Sequence, residues 1–287
     1  MINNSEIIPA WHGQLNLVYA KRENSTQLIY SHNQAPLKIQ RSFYPEGIDI
    51  CHNVILHTAG GIVGGDRLTL NIHLQPNSQA LITTAAANKT YRSNGLQARQ
   101  TVNIKIDNYA CLEYLPQENI IFNSANYRQD LRIELGENSK FLGWEIMRLG
   151  RTARGEKFID GELRSHTEIW QNDLPLWIDR QYLPGSEKVF DSPHGLGGNP
   201  VIGTLVFIGL PIASEIIEQA RLLITQPLFS GVTKLEHGLL CRYRGNSTSQ
   251  GRKWFTNIWQ MLRSHYLNNQ INHDIIPSNN IPRVWQI

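Results

Sequence analysis

The sequence has few cysteines and few charges. Its 287 residues include three cysteines, Cys51, Cys111 and Cys241, which lie far apart and form no CxxC pair. Such an odd, sparse set indicates buried thiols in a reducing compartment rather than a disulfide framework. Charged residues make up 18% of the chain and the formal net charge is +3. Without a basic run or a basic-aromatic stripe, this composition does not indicate a nucleic-acid-binding protein.

Long apolar segments are also missing. No uninterrupted apolar run approaches the roughly 20 residues that a membrane-spanning helix needs. The stretch MINNSEIIPAWHG has no basic segment followed by an apolar one, so no signal peptide is expected. The sequence therefore predicts a cytoplasmic protein with no membrane partner, and its 41% hydrophobic content is ample for a core.

Signatures of catalytic and metal sites are absent as well. The ten histidines are scattered without an HExxH pair, and nothing resembles GxSxG. Four glycines cluster within six positions, at Gly60, Gly61, Gly64 and Gly65. They lack the Lys-Ser/Thr of a P-loop and the GxGxxG spacing, and they lead into a strand rather than a helix. Glycines this close together instead indicate tight turns or backbone that another group approaches closely.

Residues 56–92 hold the densest unusual chemistry of the chain. After the glycines come Asp66 and Arg67, and then apolar residues at every second position from 68 to 74, which is typical of a strand with one buried face. A second strand is predicted at about 80–84, and it leads into the cations Lys89 and Arg92 on either side of Tyr91. This segment is predicted to be a turn-strand-turn-strand unit.

Short strand patterns continue along the rest of the chain. Runs of five to seven residues fill 13–47, and further strands are predicted at 48–57, 97–106, 110–115, 127–135, 140–148, 156–170, 174–183, 201–210 and 231–243. Residues 201–210 are nearly all apolar, which predicts a strand buried on both faces. No long helical pattern separates the strands, so antiparallel or coiled β architecture is favoured over βαβ units. No repeat of fixed period stands out, which weakens a regular solenoid interpretation.

Two segments have helical periodicity. Residues 211–224 begin with proline and place apolar side chains three and four positions apart. Residues 251–268 contain a comparable stripe that includes Phe255, Trp259 and Leu262. Residues 191–200 are loop-like in composition. We expect one mainly β domain over residues 1–287, with the two helices as additions in its C-terminal part.

Several carboxylates stand out, namely Asp66, Glu113, Glu118, Glu145, Asp160 and Asp179. Glu145 and Asp179 lie within otherwise apolar strands. An unpaired buried charge costs several kcal/mol, so each of these two either forms an interior ion pair or faces a polar channel. If they form ion pairs, the expected partners are Arg148, Arg151 or Arg180.

The sequence resembles the urease accessory protein family UreD, called UreH in some organisms. The motifs that carry the resemblance are GGIVGGDRL, then TT, KTYRS, LPQENIIF and GWEIMRLGR in order, and a terminal PRVW. They cover about residues 48–180 and the C-terminus, whereas 190–249 matches poorly. The chain departs from the family pattern at Thr58-Ala59, where two prolines are usual, and at Tyr114, where tryptophan is usual.

This resemblance implies a maturation factor that is not an enzyme. Proteins of this family form a complex with UreF and the GTPase UreG, and they dock on apo-urease to deliver nickel to its dinuclear site. The family fold is a stacked, β-helix-like layering of strands with two α-helices. No tightly bound cofactor is expected, because nickel is transient cargo.

A nickel path should use oxygen ligands and water, because it must bind the ion weakly enough to release it. Thiolates or several imidazoles would trap the ion. The matched motifs and the charges inside strands give the candidates for this path, with Lys89 and Arg180 balancing charge at its walls. The candidates are Asp66, Thr83, Thr84, Glu145 and Asp179.

Docking onto UreF should use apolar surface, for which Trp254, Trp259 and Trp285 are the candidates. Alternatively, these tryptophans cap the β core. A rival function is a β-helix-type enzyme acting on polysaccharide through Asp66, Glu145 and Asp179, which would need two carboxyls about 5 to 9.5 Å apart. A third alternative is an unrelated binding scaffold. Co-purification with urease subunits separates the three.

Overall fold

The computed structural model describes residues 10–224 and 229–267, and most of these residues lie in strands. The strands are β1 (His12–Arg22), β2 (Ser25–Gln34), β3 (Leu37–Ile39), β4 (Ile50–His57), β5 (Arg67–Leu74), β6 (Gln79–Thr84), β7 (Asn88–Thr90), β8 (Ala98–Ile106), β9 (Cys111–Tyr114), β10 (Asn119–Ile121), β11 (Ala125–Leu135), β12 (Lys140–Leu149), β13 (Gly161–Gln171), β14 (Leu174–Pro184), β15 (Val201–Ile208), β16 (Ser230–Leu235) and β17 (Gly238–Gly245). The helices are a 3-10 turn (Thr152–Arg154), α1 (Glu187–Asp191), α2 (Ser214–Leu222) and α3 (Thr248–Tyr266). The expected mainly β fold is confirmed.

The strands form two sheets. Sheet A has the order β14-β13-β11-β8-β5-β1-β2, and sheet B has the order β16-β17-β15-β12-β9-β6-β4-β3 with β10 and β7 attached beside β12. From β4 to β13 the main strands alternate between the sheets, and neighbours of this series within a sheet are parallel. The chain therefore winds as a stack of coils, which confirms the predicted β-helix-like layering.

The coil is irregular, which explains why the sequence shows no fixed period. Register-equivalent positions of sheet A fall at Arg67, Arg99, Arg128 and Arg164, at unequal intervals because the turns differ in length. Antiparallel pairs are found towards the sheet edges, where β1 pairs with β2, β13 with β14, and β12, β15, β17 and β16 follow one another. Of the two expected architectures, the coiled one describes the centre of the fold.

The central strands of sheet B are buried on both faces. One hydrophobic core fills the space between the sheets, and a second lies between sheet B and helices α2 and α3. Strand β15 contributes to both, because Val206 and Ile208 face sheet A while Leu205 and Phe207 face the helices. The prediction of a strand buried on both faces is therefore confirmed.

Helix α3 is fixed to sheet B by a buried polar cluster. Arg263 donates to Glu113 at 2.7 Å and also contacts Glu46, and the indole N–H of Trp259 donates to Glu113 at 2.7 Å. Burial alone would raise the pKa of Glu46, but hydrogen bonds from His52 and Arg263 and their charge lower it to about 2. The helix is therefore held by charge-assisted hydrogen bonds as well as by its apolar stripe.

Several predicted boundaries were wrong. Helix α2 is shorter than the predicted 211–224, and α3 begins earlier than 251 because the Ser247 side chain caps it by accepting from the Gln250 amide. Helix α1, capped by Ser186, was not predicted. Within the described residues, no helix has the length and apolar composition needed to cross a bilayer.

Three strand predictions were also wrong. Strands β1 and β2 have 11 and 10 residues rather than five to seven. The strand predicted at 156–170 begins only at Gly161, because the amides of Ile159 and Asp160 are held by the Asn123 side chain instead of a ladder. The strand predicted at 231–243 is a hairpin, β16–β17, that turns at Glu236 and His237.

Candidate functional site

A cavity of about 340 Å³ lies between the two sheets. Its lining includes residues 59–61 of the glycine cluster, His57, Lys89, Trp177 and Asp179. Apolar side chains of the inter-sheet core form much of its wall. The polar lining residues are His57, Thr84, Asn88, Lys89, Gln100, Gln117, Asn119, Gln129, Glu145, Thr167, Asp179 and Thr204. Three of the five residues predicted for a nickel path, Thr84, Glu145 and Asp179, therefore face one space.

Glu145 enters the cavity from β12 of sheet B, on the same strand face as Phe141 and Met147. The Ser165 hydroxyl donates to both of its carboxylate oxygens, at 3.1 and 3.2 Å, and the Gln129 side-chain amide donates to one of them. Burial, helped by the charge of Asp179, raises the pKa of Glu145 to about 7. Near neutral pH this carboxyl exists in both protonation states, so a cation that binds it competes with a proton.

Asp179 enters from β14 of sheet A and forms an ion pair with Arg242 of β17. Arg242 Nη1 donates to Asp179 at 2.9 Å and to the Thr204 hydroxyl at 2.6 Å, and Asp179 also accepts from Gln181 at 2.7 Å. Asp179 and Thr204 line the cavity and Arg242 contacts both from behind them. The cation beside this part of the cavity is therefore Arg242.

Residues 59–61, at the start of the glycine cluster, form part of the cavity wall. A Cβ on Gly61 would lie 2.5 Å from the Lys89 carbonyl oxygen and from the Tyr91 ring, and its φ is +155°. Ile62 exchanges backbone hydrogen bonds with the strand beside it, donating to Lys89 and accepting from Tyr91. The glycines therefore allow close backbone packing, as their spacing predicts. Lys89 also lines the cavity.

Thr83 and Thr84 do not share an environment. Thr84 lines the cavity, where its hydroxyl accepts from the Gln117 amide at 2.9 Å. Thr83 is buried outside the lining, and its hydroxyl donates to the Leu115 carbonyl at 2.7 Å. Successive residues of a strand point to opposite faces, so only one of two adjacent threonines can face the cavity.

Asp66 is buried directly after the turn that contains Gly64 and Gly65, and it is not part of the cavity lining. Its two carboxylate oxygens accept from the backbone amides of Trp11, at 2.8 Å, and Val63, at 2.9 Å. Its charge acts on His57, whose pKa is lowered mainly by burial. Its observed contacts are those of a residue that holds the turn.

The arginines predicted to pair with Glu145 and Asp179 were wrong. Arg148 bonds Thr152 and Asn246, Arg151 pairs with Glu156, and Arg180 contacts His166 and Glu168. Arg180 pairs in register with His166 and lies away from the cavity lining, so it does not balance charge at the cavity wall.

The predicted partner-binding tryptophans fall into two groups. Trp254 and Trp259 are 3% and 1% exposed and pack in the core between sheet B and the helices, so they do not form an exposed surface. This position agrees with the alternative interpretation of Trp254 and Trp259, in which they cap the β core. Trp285 lies outside the described residues.

Sequence reasoning missed Gln129, Ser165 and Arg242. Gln129 and Ser165 occupy positions on β11 and β13 between inward-facing apolar residues such as Tyr127 and Leu163. A polar residue at an inward position was the signal that could have located them. Within the described residues, no group of three or more His, Cys, Asp or Glu side chains is placed to hold a metal ion.

The fold and the cavity define a coiled, two-sheet β protein with helices on one face and a carboxylate-bearing cavity between the sheets. The family model for UreD urease accessory protein matches residues 12–278. The chain is 64% identical over 286 residues to the urease accessory protein UreD of a Nostoc species, covering 100% of each chain. It is 62% identical to that of Nostoc punctiforme, again over 100% of each, and 49% identical to that of Acaryochloris marina, over 98% of this chain and 97% of the relative.

The chain therefore belongs to the UreD family of urease accessory proteins, and the resemblance seen in its motifs is confirmed. Membership of this family supports a role in urease maturation. These relatives are named as accessory proteins rather than enzymes.

Proposed function

We propose that the protein guides nickel through the cavity between its sheets during urease maturation, as a non-enzymatic, cytoplasmic member of a complex with UreF, UreG and apo-urease. The observation that carries this proposal is that two carboxylates on opposite sheets, Glu145 and Asp179, line one cavity. Nickel is cargo here, and a cargo site must both accept and release its ion.

The ligand chemistry of the lining supports weak binding. Its candidate donors are mainly oxygen atoms, from the carboxylates of Glu145 and Asp179, the hydroxyl of Thr84 and the amide oxygen of Asn88. The Asn88 amide oxygen is buried and has no hydrogen-bond partner among the described residues. Because carboxylate and amide oxygens hold Ni²⁺ less firmly than thiolates or clustered imidazoles, an ion in this space can be passed on.

A proton on Glu145 and the guanidinium of Arg242 also favour release of the ion. The Glu145 carboxyl, with its pKa raised to about 7 by burial, takes up a proton as an ion leaves. Arg242 returns to full pairing with Asp179 when no cation neutralises that carboxylate. A proton therefore competes with the cargo ion for Glu145, and the Arg242 guanidinium competes with it for Asp179. Neither carboxylate holds the cargo permanently.

The test is the nickel content and activity of urease co-expressed with variants of this chain. Glu145→Ala and Asp179→Ala should each lower nickel per urease active site severalfold. Thr83→Ala, which alters a buried hydroxyl outside the lining, serves as the matched control. Full nickel loading with both cavity variants would contradict the proposal.

A pull-down with tagged UreF on the same lysates separates cargo transfer from folding. We expect the cavity variants to bind UreF as the unmodified chain does. If they are instead insoluble or lose UreF, their roles are structural and the passage proposal fails for these residues.

The polysaccharide-enzyme alternative is not proposed. One of its three carboxylates, Asp66, has both oxygens engaged by backbone amides and lies outside the cavity lining. The family relatives, moreover, are named as accessory proteins.

A further inference from the structure

A row of four arginines crosses the outer face of sheet A. Arg67, Arg99, Arg128 and Arg164 are directly opposite one another in register on β5, β8, β11 and β13. Their neighbours on these strands alternate with them and point into the inter-sheet core. We call these four residues the arginine row. It lies on the opposite face of the sheet from the cavity and takes no part in the passage proposed above.

Such a row is unfavourable unless anions compensate it. Neighbouring strands are about 4.8 Å apart, and like charges directly opposite one another repel. Asp130 pairs with both Arg99, at 2.7 Å, and Arg128, at 2.8 Å, while Glu162 pairs with Arg164 at 2.7 Å. Among the described residues Arg67 has no ion pair, so two carboxylates face four guanidinium groups there and the row keeps an excess of positive charge.

An exposed aromatic residue flanks the row at one end. Tyr182 of β14 is 54% exposed, and the Arg164 guanidinium lies 4.2 Å from its ring centroid. At the other end the residue opposite Arg67 on β1 is His12, which is also exposed. Arginine and tyrosine are among the residues most enriched at the energetic centres of protein interfaces.

We propose that the arginine row is a docking surface for a partner-protein segment that presents a line of carboxylates. Acidic side chains three or four positions apart on a helix are about 5–6 Å apart, close to the strand spacing of the row. Asp130 and Glu162 lie among the arginines and would repel a continuous phosphate backbone. A protein segment can place its carboxylates between these two, so the mixed charge favours protein over nucleic acid.

The experiment uses the partners proposed above and therefore rests on the proposed function. The tagged chain is co-expressed with apo-urease, UreF and UreG, and the retained partners are quantified after washes at 50, 150 and 300 mM NaCl. The variant is Arg67→Glu/Arg99→Glu, which leaves Asp130 paired with Arg128. The control is Lys234→Glu/Lys253→Glu, which makes the same charge change at exposed positions on β16 and α3.

We expect the arginine-row variant to retain at least tenfold less of one partner at 150 mM NaCl, and the control to retain it fully. The milder Arg67→Gln/Arg99→Gln should give an intermediate loss, and its thermal unfolding midpoint reports whether the fold is intact. Equal retention by wild type and variant at all salt concentrations overturns the docking surface but leaves the passage proposal standing. If the wild type binds no partner, both fail.

A 20-base-pair DNA duplex serves as a second probe on the same proteins. Binding of the duplex by the wild type, lost in Arg67→Glu/Arg99→Glu while partner retention is unchanged, would overturn the assignment to a protein segment. We expect no duplex binding at 150 mM NaCl.

Discussion

Arg242 of sheet B and Asp179 of sheet A form an ion pair that joins the two sheets beside the cavity, with Arg242 Nη2 2.7 Å from Asp179 Oδ1. As a bridge between the sheets the pair needs both partners equally. In the proposed nickel path, by contrast, the Asp179 carboxylate would attract the ion and the Arg242 guanidinium would repel it.

Substitutions of the two partners therefore distinguish these roles. Arg242→Gln should raise the affinity of the protein for Ni²⁺, because it frees the Asp179 carboxylate, whereas Asp179→Asn should lower it. Equilibrium dialysis with radioactive nickel measures both. If the pair is only structural, both variants lose stability and neither changes nickel affinity. The cost in stability should be about 1 kcal/mol for either variant, because the pair is partly exposed.

Glu145 should make stability fall as pH rises. Its pKa is raised in the folded protein to about 7 from an ordinary value of 4.5, so the folded state prefers the neutral carboxyl. The resulting cost is absent below pH 4.5, grows between pH 4.5 and 7 and is complete above pH 7. Glu145→Gln should remove this dependence and be more stable at pH 8 by roughly 3 kcal/mol. Urea unfolding of both proteins at pH 5 and pH 8 measures the difference, and parallel pH profiles would contradict it.

Helix α3 should depend strongly on Arg263. This side chain is 8% exposed and pairs with Glu46 and Glu113, so Arg263→Met leaves Glu113 without an ion pair among the described residues and Glu46 with only its contact to His52. We expect a loss of about 3–5 kcal/mol in the free energy of unfolding. Arg263→Met/Glu113→Gln should lose less than the sum of the two single changes, because the neutral amide no longer needs a cation. Additive losses in urea unfolding would show that the two groups are independent.

Much of the fold could be predicted from local pattern, since the alternation of β8 and the apolar run of β15 define strands and their buried faces. The pairing of these strands could not. Equivalent positions such as Arg67 and Arg99 are separated by turns of unequal length, and no local signal records which strands become neighbours. The hairpin at Glu236 and His237 was missed because the residues on both sides of its turn have strand propensity.

The site was predictable to the extent that a charge inside a strand is unusual. Glu145 and Asp179 stand out in this way, and both line the cavity. Asp66 does not stand in a strand, and only the structure shows that the backbone amides of Trp11 and Val63 occupy its oxygens. Arg242 could not be paired with Asp179 from sequence, because their contact crosses between sheets over 63 positions.

The most direct test of the passage is to block it without touching any ligand atom. Val102 lines the cavity from β8, so Val102→Trp places an indole in that space, and Val102→Ile is the control that leaves most of it open. The measurement is nickel per active site of urease co-expressed with each soluble variant. We predict a loss of at least tenfold with Val102→Trp, normal loading with Val102→Ile, and UreF binding unchanged in both. Normal nickel loading with a soluble, UreF-bound Val102→Trp protein would contradict it.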